Sequence, residues 1–281
     1  PPADRARALF GELESRGLLR DFGGEMAGVD RGAYRLVTTR AELEELAAML
    51  AKAPRFALDT ETTSLDPMVA KLVGLSFCCD EAVAWYVPVA HATGEAQLGW
   101  ETVRGALGLI LENPGIAKTG QNLKFDIKVL SRHGVELAGV GGDTLLADYL
   151  LSPDRRSHKL DDLALVHLEH RMISFEEALG KGATFADVRL AMARDYAAED
   201  AHVAWLLVDK LGARLAEEGL DGLYRDLELP LIGVLARMEL AGIAVDCGVL
   251  AVLSDELEVG IAETERRCWE LAGGEFVIGS V

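Results

Sequence analysis

The chain has 281 residues, half of them hydrophobic, and a formal net charge of -18 from 28 basic and 46 acidic side chains. This length is enough to bury a sizeable core, in one large domain plus a smaller unit. The acidic balance argues against a protein that coats nucleic acid electrostatically, because phosphate affinity comes largely from Lys and Arg. It leaves room for a metal-dependent nuclease, since bound cations supply positive charge locally.

Membrane insertion and secretion are not expected. No segment approaches the run of about 18 apolar residues that a membrane-spanning helix needs. The stretch "PPADRARALFGELESRG" has no apolar region of the kind found in a secretory signal. The four cysteines (Cys78, Cys79, Cys247 and Cys268) form no C-x-x-C pair. We therefore expect reduced thiols in a cytoplasmic protein.

The first 32 residues predict a helix and then a Gly-containing linker. The hydrophobic pattern that follows predicts a strand over 34–37, a helix over about 42–52, and strands over 56–58, 71–78 and 82–89. A helix near 100–112 and a short strand in "GIAKTG" come next. "NLKFDIKVLSRHG" predicts a helix with Asn122 as its N-cap and Gly134 at its end. Three further helices are predicted over 143–151, 160–168 and 186–218. Strands followed by mixed helices and strands indicate an α/β domain with a central sheet.

The pattern changes again near Gly222. "LYRDLELPLIGVLARMELAGIAVD" predicts an amphipathic helix, and residues 247–272 predict another. Two helices bury little apolar surface by themselves, so we expect this tail to dock on something else. The sequence contains no internal repeat.

Acidic side chains recur at positions that structure would bring together. "RFALDTETTSLDP", residues 55–67, runs a strand into Asp59 and Glu61, which share one face if the strand persists through Glu61, because strand side chains alternate. Tyr196 and Asp200 in "YAAED" share one face of a helix, and "GQNLKFD" ends in Asp126. Carboxylates at the end of a buried strand are unfavourable unless something binds them. Hard oxygen ligands favour Mg²⁺ or Mn²⁺ over zinc.

Each of these signals is weak when taken alone. D-x-E pairs are common, isolated helix acids are usually solvated, and a Tyr-x-x-x-Asp pair usually reflects packing. His167 and His170 are spaced for zinc but lack further ligands, so structural roles are favoured. Lys181 in "GKG" is more typical of a plain loop than of a phosphate site. The informative feature is the order of the three acidic motifs along the chain.

That order resembles the three exonuclease motifs of the DEDD superfamily, in the subclass whose third motif carries tyrosine. "FALDTETTSLDP", "GQNLKFDIKVL", "DTLLADYLLSP", "FEEALGKG" and "YAAEDA" resemble the proofreading domain of bacterial family A DNA polymerase I. The tail "ELPLIGVLARMELAGIAVD" is similar to the entry into the polymerase domain at the base of the thumb. The resemblance implies a ribonuclease-H-like mixed sheet flanked by helices, followed by a helical thumb fragment.

The resemblance also implies a domain organisation. Residues 1–32 correspond to the connector from a 5' nuclease region, 33–221 to the 3'-5' exonuclease domain, and 222–281 to the N-terminal helical part of the polymerase domain. The catalytic motifs of the polymerase are absent from this sequence. We therefore expect exonuclease activity here and DNA synthesis in the polymerase domain of a longer parent chain.

The activity implied is 3'-to-5' hydrolysis of DNA to nucleoside 5'-monophosphates with two divalent cations, Mg²⁺ or Mn²⁺, and Zn²⁺ as an alternative at one site. Asp59 would bridge both ions, and Glu61 and Asp200 would complete the site of the ion that activates water. Asp126 would support the second ion, and Tyr196 would orient the attacking water.

The substrate implied is a single-stranded or frayed 3' end of DNA. Leu65 and Phe175 would grip its terminal bases, since apolar contact with bases is sequence-tolerant, and Asn122 is a third substrate-binding position. One alternative is an RNA 3' exonuclease of the ribonuclease D type, which shares the acids but would carry a different tail. Another is a non-catalytic module that braces a polymerase, against which the intact acids argue.

Overall fold

The computed structural model describes Leu9, residues 29–180 and residues 184–279. Most of the predicted N-terminal helix and linker, and the loop around Lys181, lie outside the described residues. The chain divides into two compact units, one up to Leu240 and one from Ala241 onwards. At the start of the described chain, Asp30 caps a 3₁₀ turn over Arg31–Ala33 by accepting the Gly32 N–H.

A mixed sheet forms the centre of the first unit. Its strands are β1 Arg35–Leu36, β2 Arg55–Thr62, β3 Leu72–Cys78, β4 Ala84–Pro88, β5 Ala117–Gly120 and β6 Val140–Asp143. Their order across the sheet is β1-β4-β3-β2-β5-β6. β3 runs antiparallel to both β2 and β4, whereas β1–β4, β2–β5 and β5–β6 are parallel pairs. The predicted α/β class with a central sheet is confirmed.

The helices flank this sheet. They are α1 Arg40–Leu50, α2 Trp100–Leu111, α3 Leu123–Arg132, α4 Thr144–Leu151, α5 Leu160–Leu168, α6 Phe175–Leu179, α7 Leu190–Glu217, α8 Leu229–Ala241 and α9 Cys247–Ala272. The helix predicted over 186–218 begins later, at Leu190, because a separate 3₁₀ turn over Phe185–Asp187 precedes it. Neither β6 nor α6 was predicted from the sequence.

The two faces of β2 have different neighbours, and this difference places the acids. Phe56 and Leu58 are fully buried in the core that includes residues of α1 and α2. Ala57, on the opposite face, packs with Ala198 and Ala201 of α7. Since side chains alternate along a strand, Asp59 and Glu61 lie on the same face as Ala57, towards α7.

Small residues let α7 approach that face of the sheet. Ala193 and Ala197 are completely buried against Val73 and Tyr86. The space beside them is tight at Gly74, where a Cβ atom would lie 2.1 Å from the Tyr86 hydroxyl. Any larger residue at Gly74 would displace the Tyr86 ring.

A second core joins α7 to α8. Leu207, Leu211 and Leu215 of α7 are fully buried in one cluster with Ile232 and Ala236 of α8. Between these helices lie a helical turn at Asp221–Leu223 and a π-helix over Tyr224–Glu228.

Two polar side chains fix this region to the sheet and to α3. The Tyr224 hydroxyl accepts the Asp143 N–H at 2.6 Å and donates to the Asp143 carbonyl at 3.0 Å. Glu239 of α8 pairs with Lys124 of α3 at 2.6 Å and also with Lys128. The first unit therefore continues well past the end of α7.

The second unit consists mainly of α9. Asp246 caps this helix by accepting the N–H groups of Gly248 and Val249, and Gly273 ends it with φ 78°. Several apolar side chains along α9, Val252 and Leu257 among them, are more than half exposed. α9 is described over its whole length and contains no buried residue.

Two sequence-based expectations, on membrane-spanning helices and on the cysteines, can be compared with the structure. Among the described residues, none of the helices combines the length and hydropathy that crossing a bilayer requires. All four cysteines, each within the described ranges, are free thiols. Cys78 is buried at the end of β3, and Cys79 lies just beyond the strand and is half-buried.

Candidate active site

Three carboxylates from two elements meet at the end of β2. One oxygen from each of Asp59, Glu61 and Asp200 lies within 4.8 Å of the other two. The i, i+2 spacing on β2 supplies the first two acids, and α7 brings the third across the same face of the sheet. A register shift in the β2–β3 pairing follows directly after Glu61. Three acids at this separation repel one another unless protons or cations intervene.

These acids are easier to protonate than ordinary carboxylic acids while no cation is bound. Burial raises the pKa of Asp59 to about 6. Burial, and then the charges of Asp59 and Asp126, raise the pKa of Glu61 well above its usual value. Burial, followed by the charges of Asp59 and Glu61, does the same for Asp200. The site therefore stores electrostatic repulsion that a bound cation would relieve.

Asp126 lies next to this cluster and is held by β2. Its Oδ1 atom accepts from the Thr60 N–H at 2.9 Å and from the Thr60 hydroxyl at 2.7 Å. Burial and the charge of Asp59 raise its pKa well above the usual value. Thr60, the residue between the two acids of the D-x-E motif, thus fixes the orientation of the acid supplied by α3. Sequence reasoning did not assign Thr60 this role.

Tyr196 lies between two aromatic rings near the acids. Its ring centroid is 6.3 Å from that of Phe175 and 5.6 Å from that of Phe185. The charge of Asp200, and then burial, raise the pKa of the Tyr196 hydroxyl above its usual value. The phenol therefore remains protonated at neutral pH and is able to donate a hydrogen bond.

The three positions predicted to bind substrate are all exposed. Leu65 follows Glu61 in the loop after β2 and is 94% exposed, and Phe175 is 45% exposed beside Tyr196. The exposure of these two large apolar side chains leaves them available to a ligand. Asn122 is exposed just before α3.

Asn122 does not cap α3 in the predicted way. It occupies the N-cap position, but its φ of 60° is left-handed and its side chain makes no capping hydrogen bond. Asp143 provides the cap, because its carboxylate accepts the Leu123 N–H at 2.8 Å and the Leu145 N–H at 3.0 Å. One buried acid at the end of β6 therefore caps both α3 and α4, a role that the Asn122 side chain does not take.

The two histidines noted in the sequence have structural partners. His167 Nε2 lies 3.2 Å from Asp148 Oδ1, and His170 Nε2 lies 2.7 Å from Glu199 Oε1. Both rings are buried. Among the described residues, the one group of three or more side chains arranged to hold a metal ion is the cluster of Asp59, Glu61 and Asp200.

The chemistry of this cluster fits a hard divalent cation. Its donors are carboxylate oxygens, which Mg²⁺ and Mn²⁺ prefer. Glu61 Oε1 is buried and has no hydrogen-bond partner in the described structure. A buried acceptor of this kind is unfavourable unless a cation or proton occupies the space beside it.

The sheet order and the carboxylates at the end of its central strand define a ribonuclease-H-like nuclease. A family model described as 3'-5' exonuclease matches residues 34–216. The chain belongs to this 3'-5' exonuclease family, as the motif resemblance predicted.

A curated relative shows which part of a larger protein this region resembles. DNA polymerase I of Pseudomonas aeruginosa is 38% identical over 299 aligned residues, which cover 100% of this chain and 33% of the relative. The chain therefore spans about a third of the length of that relative and corresponds to its exonuclease region.

Solved structures share the fold. The POL domain of Pol1 from M. smegmatis, in complex with DNA primer-template and dNTP, superposes with a TM-score of 0.70 at 28% identity, covering 88% of this chain and 39% of that one. Escherichia coli RNase D, described as an exoribonuclease, superposes with a TM-score of 0.57 at 18% identity, covering 73% of this chain and 51% of that one. At that identity, the likeness to RNase D concerns the fold alone.

Proposed function

We propose that this chain hydrolyses DNA from its 3' end and releases nucleoside 5'-monophosphates. The observation that carries the proposal is the convergence of Asp59, Glu61 and Asp200 within 4.8 Å, with a buried Glu61 oxygen that lacks a partner. Membership of the 3'-5' exonuclease family and the similarity to DNA polymerase I support the choice of DNA as substrate.

The carboxylates are the proposed metal ligands. Asp59, Glu61 and Asp200 would hold one divalent cation, and Asp59 with Asp126 a second, with Mg²⁺ or Mn²⁺ preferred and Zn²⁺ acceptable at one site. When bound, such ions supply Lewis-acid activation of water and neutralise charge that develops on the phosphate. The Thr60 hydrogen bonds keep Asp126 oriented before any ion arrives.

The remaining site residues would orient water and substrate. Tyr196 retains its proton because Asp200 and burial raise its pKa, so its hydroxyl is available to position the attacking water. Leu65 and Phe175 would contact the terminal bases of a single-stranded or frayed 3' end, and Asn122 would offer a polar contact to the strand. Stacking on apolar and aromatic side chains explains how such a site accepts any base.

We further propose that the chain acts beside a polymerase domain in a longer parent protein. The supporting observation is that the similar DNA polymerase I of Pseudomonas aeruginosa extends far beyond the matched region. Residues 1–32 would connect to a 5' nuclease region, 33–221 would form the exonuclease domain, and 222–281 would begin the polymerase domain.

The test compares DNA and RNA oligonucleotides of one sequence, with Mg²⁺ and with EDTA. The wild type should shorten single-stranded DNA from the 3' end only with Mg²⁺, and Asp200→Asn should abolish this activity. Glu217→Gln, a change at an exposed acid of the same helix, is the matched control and should retain full activity. Faster hydrolysis of RNA would favour the ribonuclease D type. No hydrolysis of either polymer would favour a non-catalytic module.

A further inference from the structure

A second buried acid lies directly beside Asp200 on α7. The Glu199 side chain is completely buried. Its Oε1 atom accepts from Arg31 Nε at 2.7 Å and from His170 Nε2 at 2.7 Å, and its Oε2 atom accepts from the Ile173 N–H at 2.7 Å. The Arg31 Nη2 atom approaches Oε1 to 2.5 Å. These donors compensate the burial of the charge.

The hydrogen bonds of His170 fix its proton. Its Nδ1 atom accepts the Val29 N–H at 3.0 Å, so the ring proton lies on Nε2 and is donated to Glu199. Arg31 Nη2 also donates to the Arg171 carbonyl at 3.1 Å. Glu199 and its partners thus connect three separate segments, namely residues 29–31, residues 170–173 and α7.

One of these segments leads directly to the proposed substrate contact. Ile173 is followed by Ser174, which caps α6 in a capping box with Glu177. Phe175 is the first residue of α6, and its ring meets the Tyr196 ring edge-on. Tyr196 lies one helical turn before Glu199. Phe175 is therefore linked to Glu199 through the hydrogen bond of Ile173, two residues earlier in the chain. Tyr196 is linked to Glu199 because both lie on α7.

We propose that Glu199 and Arg31 are positioning residues for the exonuclease reaction. They hold the 170–173 segment against α7 and so set the placement of Phe175 relative to Tyr196. This inference rests on the proposed function, because Phe175 and Tyr196 matter to catalysis only if the site hydrolyses a nucleic acid strand. A purely stabilising ion pair would predict a loss of stability with no change in the reaction of the folded protein.

Arg31→Met is the principal test. The Arg31 side chain is 38% exposed, so the variant should fold, and Glu199 keeps its bonds to His170 and Ile173. Arg214→Met removes the exposed pair between Arg214, near the end of α7, and Glu218, and is the matched control. Glu199→Gln is the second variant. Its amide NH₂ group would face one of the N–H donors that now donate to the carboxylate, so that hydrogen bond would be lost.

Three measurements separate positioning from stability. The first is the single-turnover rate at saturating single-stranded DNA, measured well below the melting temperature of each variant. The second is the Mg²⁺ concentration that gives half of the maximal rate (the Mg²⁺ midpoint). The third is amide hydrogen exchange over residues 173–175. Arg31→Met should lower the rate about tenfold, since small misplacements in an active site have large effects. Exchange should become faster, the Mg²⁺ midpoint should not move, and Glu199→Gln should act in the same direction. Arg214→Met should change none of the three.

An unchanged rate in folded Arg31→Met, with faster exchange, would overturn the proposal and leave a stabilising ion pair. A rate loss explained by a shifted Mg²⁺ midpoint would also overturn it. Unchanged exchange over 173–175 would show that Arg31 and Glu199 do not hold this segment. Absence of hydrolysis by the wild type would instead refute the proposed function. The exchange measurement would still test whether Arg31 and Glu199 hold residues 170–173 against α7.

Discussion

Replacing Asp59 by Asn should stabilise the metal-free protein while abolishing its activity. Burial raises the pKa of Asp59 from 3.8 to about 6, so the folded site disfavours the ionised form. A pKa raised in the folded state means that stability is lost as pH rises from about 4 to about 6. Asn has nearly the same shape but no charge, and should recover this loss at neutral pH.

The size of the effect follows from the pKa. The rise from 3.8 to about 6 corresponds to an upper limit of about 3 kcal/mol. An amide oxygen accepts hydrogen bonds less strongly than the carboxylate that the Thr60 backbone favours, and this difference amounts to at most about 1 kcal/mol. We therefore expect metal-free Asp59→Asn to be more stable than the wild type by about 2 kcal/mol near pH 8. Near pH 4 the difference should vanish.

Urea unfolding in EDTA, at each of these pH values, measures the difference in the free energy of unfolding. Repeating it with Mg²⁺ should reverse the order, because a cation that binds only the folded wild type stabilises it. Glu217→Gln, at an exposed position on α7, should behave like the wild type throughout. If Asp59→Asn is less stable than the wild type at pH 8 in EDTA, burial does not disfavour the ionised Asp59 carboxylate as described.

Three further predictions concern the reaction. Tyr196→Phe should lower the single-turnover rate by about tenfold or more while substrate binding stays nearly intact, and an unchanged rate would return Tyr196 to a packing role. Phe175→Ala should weaken binding of single-stranded DNA by about 1–3 kcal/mol without moving the Mg²⁺ midpoint, so equal affinity would remove Phe175 from the substrate site. Mismatched 3' termini should be cleaved faster than matched termini of the same duplex at fixed salt, because unpairing is least unfavourable at mismatched ends. Equal rates on the two termini would count against fraying as the controlling step.

The strand and helix periods predicted which acids come together. Asp59 and Glu61 follow from the two-residue repeat of β2, and Tyr196 with Asp200 follows from the turn of α7. The pattern of α7 is long, whereas the strand predicted over 56–58 stops short of both acids, and the observed β2 extends to Thr62. The boundaries of α2, α4 and α5 agree with the predicted ones to within a residue.

The features that sequence reasoning missed depend on tertiary neighbours. β6 is a four-residue strand with two glycines, and it forms because β5 lies alongside it, not because its residues favour strands. Asp143 caps α3 from that strand, so its role could not be predicted without the pairing. Glu199 looks like an ordinary helix acid in the sequence, and its partners lie in two segments that are far from it along the chain.

The anchoring of α8 has a practical consequence for anyone preparing a shorter recombinant fragment. The family match ends at residue 216, which makes that position a natural place to stop. A fragment ending there would lose the Tyr224 hydroxyl that pairs with the Asp143 backbone. It would also expose the α7 leucines that α8 covers.

Removing the buried Leu229, Ile232 and Ala236 side chains would forfeit several kcal/mol, at about 1.5–3 kcal/mol for each large aliphatic residue. A typical domain has only about 5–15 kcal/mol of net stability. The same cut would remove Glu239, the partner of Lys124 and Lys128. These two lysines lie on α3, the helix that carries Asp126. A fragment stopping at residue 216 should thus aggregate or lose activity, whereas one that extends through Leu240 keeps the whole compact unit.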